Sequence, residues 1–301
     1  MKESKLRLNE DGKGYRVFSF FNNLLMALVI LVTAYPLWYV IIASVSDPAA
    51  MMGDYGLMWL PKFPMTLEVY KFAMINPLVL SGMRSTLFIV LAGVSVNLVL
   101  TCLGAYVMSL RNAVFKKPLS ILFIFTMYFN GGIIPTYLNV QSFGLMNSWW
   151  SVIIPFAINI YNMLILRSAF AAIPDSLIEV ARIDGASHAR ILVQIFLPLS
   201  GATLAVMVLY YAVGHWNAWF YASLFIQKPE KYPLQVVLRQ IILMNKNASA
   251  SAAALTDNTN SMMLELVKYA LIVISSAPIL ILYPFLQRFF TKGVMVGAIK
   301  G

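Results

Sequence analysis

The chain has 301 residues, 60% of them hydrophobic and only 11% charged, with a formal net charge of +10. Soluble domains average about 45–50% apolar and about 25% charged residues, so this composition excludes a water-soluble globular domain. The single cysteine, Cys102, excludes a disulfide framework within the chain and lies inside an apolar run as a small lipid- or core-facing residue.

A helix needs about 20 apolar residues to cross a hydrocarbon core, and the apolar residues gather into runs of that length. The first covers 17–43. Lys2, Lys5 and Arg7 precede it as they would a secretory signal. An apolar run from Val17 to Ala43 nevertheless exceeds the roughly 7–15 residues of a signal core, so a retained span is expected. Further spans are expected near 84–108, 118–138, 149–170, 191–226 and 264–289. The third contains Asn130, Gly131, Gly132 and Pro135 and is not expected to be straight. The fifth is overlong and contains Pro198 and Gly201, which predicts a kink or an interfacial portion. The expected fold class is therefore an all-α integral membrane protein with six transmembrane helices over 17–289. A segment 1–16 and a tail 290–301 flank it. The Ala/Ser stretch 248–254 is expected to be a flexible exterior loop.

Charge sets the orientation. Lys2, Lys5, Arg7, Lys13, Arg16, Arg111, Lys116, Lys117, Arg167, Arg182, Arg190, Arg288, Lys292 and Lys300 fall on one side of the predicted spans. Lys62, Lys71, Lys228, Lys231, Arg239 and Lys246 fall on the other, in longer loops. Lysine and arginine are retained on the inner side, so both termini and the 167–190 loop are expected in the cytoplasm. Arg84 and Lys268, at span edges, are expected to snorkel to the outer surface. The basic excess is dispersed over short segments with no basic groove and interleaved aromatics, which excludes nucleic-acid binding.

Residues 178–200, IEVARIDGASHARILVQIFLPLS, concentrate polarity in a chain where charge is scarce. Pro174 and Asp175 end the preceding segment, and Ser176 with Glu179 has capping-box spacing. A short helix from Leu177 to about Asp184 is predicted, with Leu177, Ile178 and Ala181 near one side and Glu179 and Arg182 on another. Gly185 can take the left-handed conformation that ends it, and Ser187 can cap a second helix carrying Ile191, Ile195 and Leu197 into the membrane. Small residues at Ala181, Gly185 and Ala186 permit close approach. Such a hairpin suits docking into a groove on another protein, or serves as a connecting loop with an interfacial helix; local chemistry leaves both open.

Glu179-Val180-Ala181, then Asp184-Gly185-Ala186, then Ile195 and Leu197-Pro198 resemble the EAA loop of ABC importer permeases, with Val180 in place of the usual alanine. Phe129-Asn130-Gly131-Gly132-Ile133-Ile134-Pro135, Gly214-His215-Trp216-Asn217-Ala218-Trp219 and the tail 292–301 resemble the LplC/YtcP-type carbohydrate permeases, similar to the smaller permease of maltose systems. The resemblance implies a type I ABC importer transmembrane domain with an EAA-type coupling helix in the loop 174–190. Glu179, Ala181, Arg182, Asp184, Gly185 and Ala186 would contact the ATPase. It also implies a second homologous permease, two ATPase subunits, an extracellular sugar-binding protein, and complex oligosaccharides as cargo. The tail 292–301 is a second candidate ATPase contact or, more simply, a frayed terminus.

Polar groups in hydrocarbon are costly and often functional. Asn130, Tyr211, His215, Trp216, Asn217 and Trp219 are candidates for a sugar path, since asparagine offers hydrogen bonds to hydroxyls and aromatic rings stack on sugar faces. The alternative is helix–helix bonding and an interfacial aromatic belt, and for 215–219 both stand. Asn159 and Asn162 read as helix–helix bonding. No G-x-x-x-x-G-K-[ST] loop occurs, so ATP and magnesium would be held by partner subunits and no cofactor by this chain. His188 and His215 are too few and too far apart for a histidine metal site, and no catalytic Ser/His/Asp set is recognisable, so an enzyme is not supported. An ion-coupled carrier predicts intramembrane carboxylates and inverted repeats, whereas Glu265 is the only acid near a span and no repeat is found. A membrane scaffold would need no polar path.

Overall fold

In lipid a backbone must satisfy its own hydrogen bonds, and a helix does so within one segment. The computed structural model describes residues 13–51, 56–111, 115–251, 266–281 and 284, and every regular element among them is helical.

One unit covers the residues up to Ala73 together with Ser251–Val273. Its main element, α1 (Lys13–Val45), exposes an almost continuous apolar surface, including Phe18, Ile30 and Val32. Short helices α2 (Pro48–Met51) and α3 (Glu68–Ile75) follow. The indole of Trp38 donates to the Trp59 carbonyl (3.1 Å), and the Tyr35 hydroxyl accepts from the Met58 amide (3.0 Å), fastening the loop residues 56–59 to the C-terminal third of α1.

The other unit covers Met74–Ala250 and the residues from Ile274 onward. Its axis is α4 (Pro77–Ser109), which starts where Asn76 accepts from the Leu78 amide and Pro77 occupies a first-turn position that needs no donor. Then come α5 (Lys116–Tyr128) and α6 (Ile133–Ser142), two 3₁₀ turns (Trp149–Val152 and Ile154–Phe156), α7 (Ile160–Ala171) and α8 (Asp175–Ile183). The chain continues through α9 (His188–Ile191), a π-helical turn (Leu192–Phe196), α10 (Leu197–Leu199), α11 (Gly201–Asn217), α12 (Phe220–Phe225) and α13 (Leu234–Ser251), and α14 (Leu266–Ile281) contributes its residues up to Val273 to the first unit and the rest to this one. Helix α4 packs most extensively against α7 and α11.

By length and composition, α1 and α4 are each able to cross a membrane. Three bent pairs pass the same test together, which makes up to five crossings among the described residues. Their bends follow the sequence. Helices α5 and α6 meet at 113° across Asn130–Gly132, where Gly132 has φ +91° and the Asn130 side chain accepts from the Gly132 amide. The expected kink of the fifth segment is an 87° break between residues 188–199 and α11, next to Pro198 and one short turn after a π-helical turn.

Other expectations need correction. The second segment starts at Pro77 rather than at Arg84, which is exposed two turns into the helix; a proline-assisted cap, not a charge, marks its start. The fourth opens as 3₁₀ turns, with a 52° bend before α7. The stretch from 248 is not loop as far as Ser251, because its alanines continue α13. Residues 1–12, 252–265 and the expected tail 290–301 lie outside the described residues, as does the end of the sixth expected span.

Candidate functional site

The loop between α7 and α11 is built largely as its residues dictate. Helix α8 ends in a complete Schellman motif: Gly185, with φ +74°, donates to Arg182, and the Ala186 amide donates to the Ala181 carbonyl (2.9 Å). Ser187 then caps α9 by accepting from the Arg190 amide (3.4 Å). The expected capping box does not form. Helix α8 begins at Asp175, with Pro174 as its N-cap and no side-chain cap bond, so Ser176 already lies inside the first turn. A proline that pre-sets the extended approach and a carboxylate in the first turn suffice to start the helix.

The two faces of α8 are also divided differently from expectation. Ile178, Ala181 and Ala186 pack against a core formed by Tyr106 of α4, Met163, Leu166 and Phe170 of α7, and Phe196. Leu177, Val180 and Ile183 point outward at three-residue spacing, and Ile183 is 85% exposed. Glu179, Arg182, Asp184 and Gly185 are exposed beside them. The hairpin thus offers an apolar ridge with polar flanks while its inner face is anchored. A cleft of about 650 Å³ lies beside it, lined by Arg111, Lys116, Glu179, Arg182, His188 and Phe196 among others. Arg111 bridges to Asp175 at 2.6 Å, but both side chains are well exposed. Exposed pairs contribute little, so Arg111→Ala is expected to lower thermal stability by less than about 1 kcal/mol, read from the unfolding midpoint in detergent.

The intramembrane candidates separate. Tyr211 and His215, one turn apart on α11, face Thr101 and Asn97, one turn apart on α4. Tyr211 Oη and Thr101 Oγ1 are 2.6 Å apart, and His215 Nε2 lies 2.6 Å from Asn97 Oδ1. The Asn97 amide nitrogen donates to the carbonyls of Phe156 and Ala157, both at 2.8 Å. Those carbonyls are freed by the bend before α7, so one side chain satisfies the break and holds α11. Gly93 makes room: a Cβ there would stand 2.5 Å from His215 Nε2. The Trp216 indole, buried, donates to the Ser275 carbonyl of α14 (2.9 Å). Asn217 is exposed, and Trp219 lies under the Arg239 guanidinium, 3.6 Å from the ring centroid. Asn130 is exposed at the 113° bend, far along the sequence from this cluster. Asn159 caps α7 by accepting from the Asn162 amide (3.0 Å).

Residues 6–296 match the profile of a family described as the binding-protein-dependent transport system inner membrane component. The chain belongs to this family. Protein LplC of Bacillus subtilis (strain 168) is 38% identical to this permease over 298 residues, 99% of this chain and 100% of that protein. The polygalacturonan/rhamnogalacturonan transport system permease protein YtcP of the same organism is 37% identical over 236 residues, 78% of the permease and 82% of YtcP. A chain from the crystal structure of a bacterial ABC transporter involved in the import of the acidic polysaccharide alginate superposes with a TM-score of 0.83. It is 30% identical, covering 93% of the permease and 98% of that chain.

Sequence reasoning missed two groups of residues in this permease. Gly93, Asn97 and Thr101 recur every four residues along an apolar helix, a small-and-polar stripe that is the ordinary signature of close helix packing in membranes. Leu177, Val180 and Ile183 recur every three, a signal hidden by attention to the charges between them.

Proposed function

We propose that this permease forms one half of the membrane pathway of an ATP-driven importer for complex carbohydrates, paired with a second homologous permease, two ATPase subunits and an extracellular sugar-binding protein. Six spans, with both termini and the 174–190 hairpin in the cytoplasm, agree with the distribution of lysine and arginine. The ATPases hold ATP and magnesium and close on hydrolysis-competent nucleotide; α8 converts that closure into alternating access. The relatives named for polygalacturonan and for alginate support a carbohydrate cargo and make acidic oligosaccharides the first to try.

The observation that carries the reading is α8 itself. Its inner face is anchored in the α4–α7 core, while Leu177, Val180 and Ile183 form an exposed apolar ridge edged by Glu179 and Arg182. An amphipathic helix presenting such a ridge docks into a groove. Ala181 and Ala186 support the hairpin from within rather than touching the partner. An ion-coupled carrier finds no support in the helices, since α1, α4–α7, α9–α11 and α14 contain no Asp or Glu.

The test is copurification of the complex from the native membrane, followed by a glycan screen on its binding protein and uptake into vesicles. Glu179→Ala, Ile183→Asp and Gly185→Val are expected to cut uptake at least tenfold while the permease still inserts. Valine in the left-handed conformation at 185 alone costs about 1–2 kcal/mol. Wild-type uptake by all three variants would remove α8 from the coupling path.

A further inference from the structure

We propose that Tyr106 is the positioning residue through which the coupling hairpin holds α4. This rests on the importer reading above. It adds a named linkage between the hairpin and a helix that does not adjoin it in sequence.

Tyr106 lies one turn from the end of α4 and is 5% exposed, yet its hydroxyl reaches His188 Nδ1 at 2.8 Å. His188 is exposed and is the first residue of α9, three positions after the glycine that ends α8. The Tyr106 ring stands edge-on to Phe196 at 5.0 Å, and Phe196 stands edge-on to Phe170 of α7 at 5.1 Å. A single side chain therefore joins α4 to α9, to the end of the π-helical turn and, through Phe196, to α7.

The direct covalent route from the hairpin is poorly suited to carry displacement. Between α9 and α11 it passes a π-helical turn, Pro198 and the 87° break at Ser200. Helix α4 has none of these interruptions over Pro77–Ser109. Nine residues of helix separate Tyr106 from Asn97, about 14 Å at 1.5 Å per residue. There Asn97 grips the broken start of α7 and His215 of α11, with Thr101 and Tyr211 forming a second rung between. A push on the hairpin is delivered through Tyr106 to a stiff rod and released at the polar rungs. Coupling of this kind is a free energy shared by two sites through an element both of them bias.

The consequence is a change in idle ATP use. In a coupled resting complex, the spans resist closure of the ATPases. Removing this bond loosens the hold of the hairpin on α4 and with it part of that resistance, so hydrolysis without binding protein or sugar should rise. The measurement is ATP hydrolysis by the purified whole complex in lipid nanodiscs with ATP and magnesium alone. Tyr106→Phe, which deletes only the hydroxyl, and His188→Ala are each expected to raise it about fivefold, the low end of ordinary coupling energies. The double variant should be no higher than either single one, because both remove the same bond. His188→Asn, which restores a side-chain hydrogen-bonding group near the position of Nδ1, should return hydrolysis toward wild type. A merely structural role would lower yield and hydrolysis together instead of raising the rate.

Unchanged hydrolysis in both single variants, additive effects in the double, or a fall that tracks a lowered unfolding midpoint would each overturn the assignment. Such results leave the importer reading intact. Failure of any ATP-hydrolysing subunit to copurify with the wild-type chain would overturn that reading, and this assignment with it.

Discussion

Asn97→Leu is expected to lower the stability of the solubilised permease by about 2–4 kcal/mol, the largest loss of any conservative-volume change in α4. Asn97 satisfies the carbonyls of Phe156 and Ala157 and meets His215 Nε2, all within a buried junction of α4, α7 and α11. Orphaning a buried polar group costs about 1–3 kcal/mol in water-soluble proteins. Bonds between membrane helices average nearer 0.6 kcal/mol, because the dissociated helices find other partners. Three orphaned groups at values between those limits yield the stated range. Thr101→Val provides the internal comparison. It removes one bond, to Tyr211, and should cost about 0.5–1 kcal/mol. Thermal midpoints of the two purified variants decide the matter: if they are equal, Asn97 is not a hub.

Gly93→Ala is expected to cost about 1–3 kcal/mol by overpacking. The added methyl would stand 2.5 Å from His215 Nε2 and 2.8 Å from both neighbouring ring carbons. The ring has little freedom to withdraw, since Asn97 holds the same nitrogen. Combining Gly93→Ala with His215→Ala should therefore recover part of the loss, a non-additivity of at least about 0.5 kcal/mol. Gly104→Ala offers a contrast on the same helix. Its Cβ would meet the Met163 sulfur at 2.6 Å, in an unbranched thioether that has more torsions to adjust than an imidazole held by a hydrogen bond. The alanine at 104 should be the milder of the two. Equal losses at 93 and 104 would mean that the histidine clamp contributes nothing.

Different parts of the molecule were legible in the sequence to different degrees. Gly185 and Ser187 announce the hairpin because left-handed turns and N-caps are decided by local chemistry, and both appear where expected. Asn130–Gly132 and Pro198 mark the two sharpest bends for the same reason. The capping box failed because two solutions compete at the start of α8, and proline with aspartate outranks serine with glutamate there. The orientation of α8 failed differently. Leu177, Ile178 and Ala181 share an apolar character, but which of them faces inward depends on where α4 and α7 lie. The intramembrane set shows the same division: polarity flags His215 and Tyr211, and only the neighbouring helix identifies Asn97 and Thr101 as their partners.

Composition, the length of the apolar runs and the placement of lysine and arginine were enough to predict a helical membrane protein and the position of its polar hairpin, because lipid admits few backbone solutions and turn chemistry is local. Tertiary structure alone decided which polar groups meet, which face of α8 stays uncovered, and that Tyr106 reaches His188 across 82 residues. Those outcomes depend on how helices pack against one another, and a pattern read along one helix carries no information about the register of the next.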